Sequence, residues 1–201
     1  LERIAAALQG NPDIFNIDLF EPLIKEVEKE LGVEYGKNED KDRSIRIIAD
    51  HLRASVMLIS EGLTPSNKLQ GYVLRKLIRR TVFHSFLLNK RELSGISLPL
   101  MARGLIDAYP GINNNWPAKV EVIEEEARKF NVALDKGLKK LDKALTNKEK
   151  IDGKFAFDLY QTEGFPLDLT LEILEKEGRT FSDKERKVFQ EEFEKHQELS
   201  R

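Results

Sequence analysis

Apolar residues recur along the chain at alternating steps of three and four, the spacing that gathers them on one side of a helix. The longest such stripe is Val120, Ile123, Ala127, Phe130, Leu134, Leu138, Leu141 and Leu145, a helix opened by Pro117. Residues 40–61 carry Ile45, Ile48, Leu52, Val56 and Ile59 on one face, with Gly62 after the end. Residues 71–88 carry Leu74, Leu77, Ile78 and Phe86. Shorter helices are bounded by their punctuation. Leu1–Gln9 ends at Gly10, and Asp18, with Glu21 three residues on, caps a helix that runs to Leu31 and stops at Gly32. Leu98–Ala108 has Pro99 in its first turn and Pro110 beyond its end. Lys154–Thr162 follows an Asp152-Gly153 turn and is broken by Gly164 and Pro166, and Leu167–Glu177 stops at Gly178. Ser182 with Glu185 forms a capping box for a last helix. Strand-length alternation of apolar and polar residues does not stand out, and no Asn-Gly or Asp-Gly hairpin turn lies between such runs. The pattern predicts an all-α fold, a multi-helix bundle of two lobes. The lobe boundary is expected where Gly, Asn and Pro cluster, near 110–117.

Composition narrows this picture. A chain of 201 residues can bury a real core as one medium domain or two small ones. Its 40% hydrophobic and 34% charged residues suit long, solvated helices. No apolar run reaches the ~18 residues that a membrane span needs. The absence of cysteine excludes disulfides, thiolate metal sites and cysteine nucleophiles, and fits a cytoplasmic protein. The chain opens on Leu1 without a basic-then-apolar signal segment, and reads as a piece of a longer protein.

Charge changes the picture more. The 30 residues between Glu61 and Glu92 hold no acid and seven bases: Lys68, Arg75, Lys76, Arg79, Arg80, Lys90 and Arg91. The rest of the chain has 26 bases against 35 acids. At ~100° per residue, Arg75, Arg79, Lys76 and Arg80 share one arc of roughly 140° on a helix. Like charges four apart repel, so such an arc meets negative charge, either phosphates or acids elsewhere on the chain. The loop Gly62-Leu63-Thr64-Pro65-Ser66-Asn67 feeds this helix. It is a helix-to-helix turn by pattern. Its functional alternative is a stiff loop displaying an amide, which donates and accepts together, to a base edge.

Other chemistry is sparse. His51, His84 and His196 stand at no metal-ligand spacing, and no Walker-type loop, GxGxxG or Ser-His-Asp grouping occurs. Asp50, His51 and Arg53 read as local helix contacts, Glu124, Glu125 and Glu126 as a solvated face, and Trp116 as an anchor at a helix start. No catalytic residue and no metal ligand is assigned.

Several ordered segments resemble alanyl-tRNA synthetase, a class II aminoacyl-tRNA synthetase family. They are Leu1-Glu2-Arg3-Ile4-Ala5-Ala6, then Asp50-His51-Leu52-Arg53 and Pro65-Ser66-Asn67. Gly71-Tyr72-Val73-Leu74-Arg75-Lys76-Leu77-Ile78-Arg79-Arg80 follows, and further on Leu159-Tyr160, Thr162 and Gly164-Phe165-Pro166-Leu167-Asp168-Leu169-Thr170. The resemblance runs over essentially the whole chain. It implies that residues 1–10 are the tail of an aminoacylation core, at the end of the third class II motif. Residues 11–112 and 113–201 would be two helical lobes of a tRNA-recognition region.

The partners implied are the acceptor stem of tRNA(Ala), read at a G·U wobble pair, and the rest of the synthetase chain, with no membrane. Asn67 matches the family's base-contacting Asn. Lys68, Arg75, Lys76, Arg79 and Arg80 would hold the tRNA backbone. Arg3 matches the arginine that packs on the adenine of ATP. No cofactor is expected in this fragment, and ATP and magnesium in the intact enzyme; the fragment alone is expected to be inactive. Gln161 stands where the family usually has an Asp opposite the Asn, and Glu163 where a Tyr is common. A carboxylate would accept from the free 2-amino group of guanine by a charge-assisted bond, and Gln161 accepts through a neutral amide oxygen. The competing reading is a helical scaffold or protein-interaction module whose bases pair internally.

Overall fold

The computed structural model describes residues 1–89, 92 and 94–199. Among them the regular structure is helical, with no strand, as the apolar periodicity predicts. The helices are α1 (Glu2–Leu8), α2 (Glu21–Leu31), α3 (Glu39–Ser60), α4 (Leu69–Leu88), α5 (Leu98–Ala102), α6 (Gly104–Ala108), α7 (Trp116–Thr146), α8 (Gly153–Glu163), α9 (Leu167–Lys176) and α10 (Asp183–Leu199). A 3-10 turn, Pro110–Asn113, links α6 to α7. The chain divides into two compact units, Leu1–Phe130 and Asn131 onward, and α7 contributes residues to each. The turn-rich segment 110–115 lies within the first unit.

In the first unit α3 and α4 form the main helix pair, and α2 lies against α3, α5 and α6. The predicted stripe of α3 is buried, from Ile45 through Ile59, and so are Leu74, Ile78 and Phe86 of α4. Leu77 stays only partly covered. Asn38 caps α3 by accepting from the Lys41 amide at 3.0 Å, satisfying one of the donors a helix start leaves open. Gly32 ends α2 at φ +61°, a left-handed position that glycine takes without steric cost.

Two expectations are corrected in this unit. Asp18 does not cap α2. Its carboxylate accepts from the Gln9 side-chain amide at 2.7 Å, and the helix starts later, at Glu21. Pro22 in the first turn has no N–H to satisfy, which lessens the need for a cap. The helix expected over 98–108 is divided into α5 and α6 at Arg103. Gly104 lies against α2 so closely that a Cβ there would stand 2.4 Å from the Pro22 carbonyl oxygen.

In the second unit α8 lies against α10 and α9. Ala156, Phe157 and Phe189 form a buried cluster covered by Tyr160, Leu167, Phe181 and Phe193. Phe157 and Phe189 meet edge to face, with centroids 6.0 Å apart. Asp152 caps α8 by accepting from the amides of Lys154 and Phe155, both at 3.1 Å. The predicted capping box is present: Ser182 N–H donates to Glu185 at 2.6 Å, and the Glu185 amide donates to Ser182 Oγ at 3.4 Å. Gly137 makes room on α7 for the fully buried Phe165, whose ring would stand 2.2 Å from a Cβ at that position.

Candidate nucleic-acid interface

The loop before α4 is tied down at both ends. At its start, Gly62 N–H donates to the Ile59 carbonyl at 2.9 Å and Leu63 N–H to Leu58 at 3.1 Å, closing the last turn of α3. At its end, the Ser66 amide donates to the Gly71 carbonyl at 3.0 Å. Ser66 Oγ donates to the Lys68 carbonyl at 3.0 Å and accepts from the Lys68 amide at 3.3 Å. Asn67 is therefore bracketed by a hydroxyl that holds the residue after it. Gly71 permits this closeness, since a Cβ there would stand 2.2 Å from Ser66 Oγ and 2.7 Å from the Thr64 carbonyl oxygen. Leu69 takes φ +47°, a conformation that strains a bulky side chain, and is 82% exposed. Tyr72 and Val73 are also exposed, so α4 begins with an apolar ridge beside Asn67.

Asn67 itself is exposed, and its Oδ1 accepts a hydrogen bond from the Arg75 guanidinium two turns into α4. Arg75 Nε in turn lies 3.4 Å from Glu126 Oε2 on α7. Arg79 Nε donates to Glu126 Oε1 at 2.8 Å, and its guanidinium carbon sits 5.1 Å from the centre of the Phe130 ring. Glu126 is only 4% exposed. The expectation of a solvated Glu124-Glu125-Glu126 face holds for the first two and is corrected for the third, which is buried against two arginines. The partners of Glu126 lie about fifty positions away in sequence, and its one local sign of burial is its place four residues before the buried-stripe position Phe130.

The predicted backbone-contacting bases thus differ in their surroundings. Lys68 and Lys76 are exposed. Arg75 and Arg79 reach the buried Glu126. Arg80 is half-buried, its Nη2 3.5 Å from Nε2 of the buried His84, which faces Ser44 Oγ at 3.2 Å with Nδ1. Lys90 and Arg91 lie outside the described residues.

Gln161 is exposed on the last turn of α8, in the second unit. One turn earlier, Asp158 accepts from Lys140 Nζ at 2.6 Å, and Lys140 also reaches Thr162 Oγ1 at 3.3 Å. Arg3 is exposed on α1. That helix is held by its neighbour Glu2, which accepts from Arg53 of α3. Arg53 is thus more than the local contact expected from sequence: its guanidinium lies 4.4 Å from the centre of the Phe20 ring and donates to the Tyr109 hydroxyl at 3.0 Å. The hydrogen bond from Arg53 lowers the Glu2 carboxyl from its ordinary 4.5 to about 2.

Comparison with known proteins identifies the family. A family described as tRNA synthetases class II (A) matches residues 1–201. The chain is 45% identical to the alanine–tRNA ligase of Thermotoga maritima over 186 residues, 89% of this chain and 21% of that protein. It is 41% identical to the alanine–tRNA ligase of Bacteroides fragilis over 191 residues, 92% of this chain and 22% of the relative. The alanine–tRNA ligase of Clostridioides difficile matches all of this chain at 41% identity, over 23% of its own length. The chain thus spans about a fifth of the length of these curated relatives. With the whole chain matched by the family and these identities across nearly all of its residues, it belongs to the class II (A) tRNA synthetases.

Proposed function

We propose that this chain is the part of an alanine–tRNA ligase that holds the acceptor stem of tRNA(Ala) and reads its G·U pair. The carrying observation is the exposed Asn67 amide, displayed on a loop that Ser66 and Gly71 lock to α4, beside the exposed Lys68 and Lys76. The lysines supply affinity through phosphates, and Asn67 supplies discrimination at a base edge. Gln161 is the second base contact in this reading, accepting through its amide oxygen. The region positions the tRNA end for an active site built by the remainder of the synthetase, which joins alanine to tRNA in the cytoplasm.

ATP and magnesium belong to that active site. Arg3 is the residue here that the family resemblance assigns to ATP, and it is exposed on the first turn of α1. Among the described residues no group of three His, Asp or Glu side chains is placed to hold a metal ion.

One observation favours the scaffold reading instead: Arg75 and Arg79 of the basic arc turn to an internal acid. A salt titration of binding to tRNA(Ala) separates the two. Phosphate contacts make log affinity fall linearly with log salt, by about 0.7–0.9 per phosphate neutralised. The proposal expects such a slope at low salt; a chain that does not bind tRNA there is a scaffold.

A further inference from the structure

We infer that Arg75 is a positioning residue for base reading: it fixes the Asn67 amide with its oxygen inward, so that Asn67 meets a base pair as a hydrogen-bond donor. The inference rests on the tRNA reading of the previous section and adds to it the polarity of the contact and the residues that set it.

The chemistry follows from the donor inventory. A guanidinium carries five N–H donors and no acceptor. The amide atom that faces Arg75 is therefore Oδ1, and Nδ2 with its two hydrogens is the atom left for a ligand. An amide with oxygen turned outward would suit the free 2-amino group of guanine. One with nitrogen outward repels that group and suits an acceptor, such as pyrimidine O2, purine N3 or a ribose hydroxyl on the minor-groove side. In a G·U pair the guanine amino group is then left to a different residue, while Asn67 addresses an acceptor.

Arg75 can impose this because it is itself held. Its Nε lies within ion-pair distance of the buried Glu126, at 3.4 Å and without a hydrogen bond, while Nη1 donates to Asn67. Lysine offers a single nitrogen with rotatable donors on a flexible stem, so it does not reproduce the rigid fork of the guanidinium. Glu126 is fixed in turn by Arg79, at 2.8 Å, under which lies Phe130. A chain of contacts thus runs from the α7 core to the loop tip, and each link is a charge-assisted or cationic contact. The arc of bases whose repulsion demanded negative charge has, in Arg75, a member whose charge is met by Glu126 and whose remaining donors aim a neighbour.

The test uses this 201-residue chain and acceptor-stem RNA hairpins that carry G·U, G·C or inosine·U at the same pair, with dissociation constants and salt slopes for each. Asn67→Ala is expected to lower the G·U over G·C preference by about fivefold to a hundredfold. Arg75→Lys, which keeps the charge, is expected to lose the same preference while leaving the salt slope unchanged. Combined with Asn67→Ala it costs nothing further, because both act through one contact. Asn67→Asp keeps an oxygen for Arg75 and removes the donors; it is expected to lose the preference as Asn67→Ala does, with the thermal midpoint unchanged. Replacing guanine by inosine is expected to cost wild type and Asn67→Ala the same factor. Arg75→Lys keeping the full preference while Asn67→Ala loses it would overturn the inference and leave the tRNA reading standing. So would an Asn67→Asp variant that still prefers G·U. A wild-type chain that binds the hairpins without preferring G·U removes the tRNA reading, and this inference with it.

Discussion

Glu126 follows two exposed glutamates on α7, and its neighbours in sequence assign it to water; its neighbours in space do not. A buried carboxylate is tolerated when it is paired and hydrogen-bonded, and Arg79 and Arg75 supply both. Removing one partner leaves the acid underpaired. Hydrogen bonds to charged groups contribute about 1.5–3 kcal/mol, reduced here because Arg79 keeps a quarter of its side chain in solvent. Arg79→Ala also strips the cation from the Phe130 face. It is expected to lower the thermal midpoint by roughly 3–8 °C, at ~2–4 °C per kcal/mol for a chain of this size. Lys68→Ala, at an exposed position that bonds Ser66 through its backbone, is expected to stay within about 0.5 kcal/mol of wild type. Melting curves of the two variants side by side check this. An equal drop in both would mean that Glu126 does not depend on Arg79.

At the scale of elements, α4 shows what the sequence makes legible and what it does not. Its apolar positions and its basic arc are readable from spacing alone, as are the stripes of α3 and α7 and the box that caps α10. Its beginning is not. The helix starts at Leu69 rather than 71, because the loop folds back on it through Ser66, and that closure depends on an absent side chain at Gly71. Contacts across tens of residues, such as Arg53 with Glu2 and Tyr109, leave no mark in local pattern either. Asn67 is legible as a candidate through family resemblance, whereas its bond to Arg75 joins residues eight apart across the loop-to-helix join and leaves no local mark. Gly71→Ala tests the closure. Alanine favours a helix interior by about 1 kcal/mol over glycine, so α4 should persist by circular dichroism. The new Cβ would stand 2.7 Å from the Thr64 carbonyl oxygen, and the loop must move. The expected result is loss of G·U preference with helicity kept; retained preference would mean that the loop tolerates displacement.

The join between α1 and α3 is pH-dependent with a definite sign. Glu2 has its carboxyl lowered from 4.5 to about 2, first by the hydrogen bond from Arg53 and then by its own backbone. A group whose folded value is depressed adds stability that is present above its unfolded value and lost as pH falls through the folded one. The Glu2–Arg53 contribution should therefore be whole above about pH 5 and gone near pH 2. Glu2→Gln should melt lower than wild type at pH 7, and the two should converge as pH approaches 2. A difference that persists at pH 2 would show that the pair's charge is not what secures α1.

For the whole molecule, a net charge of −2 conceals a basic stretch set among acids, so attraction for a polyanion is local and short in range. The chain spans about a fifth of its relatives' length. Binding and chemistry should therefore separate cleanly. The isolated chain is expected to show no alanine-dependent exchange of pyrophosphate into ATP, yet to inhibit aminoacylation by an intact alanine–tRNA ligase by sequestering tRNA(Ala). Inhibition should weaken as salt rises, since phosphate contacts release counterions. Lys68→Ala should flatten that salt dependence by about one unit of slope, the loss of one phosphate contact. Arg79→Ala, whose guanidinium is engaged by Glu126, should leave the slope nearly as it is and show its effect in the melting curve. Raising the tRNA concentration should relieve the inhibition, whereas raising alanine or ATP should not. Relief by ATP would place this chain's target on the enzyme rather than on the RNA, and would count against a tRNA-holding role.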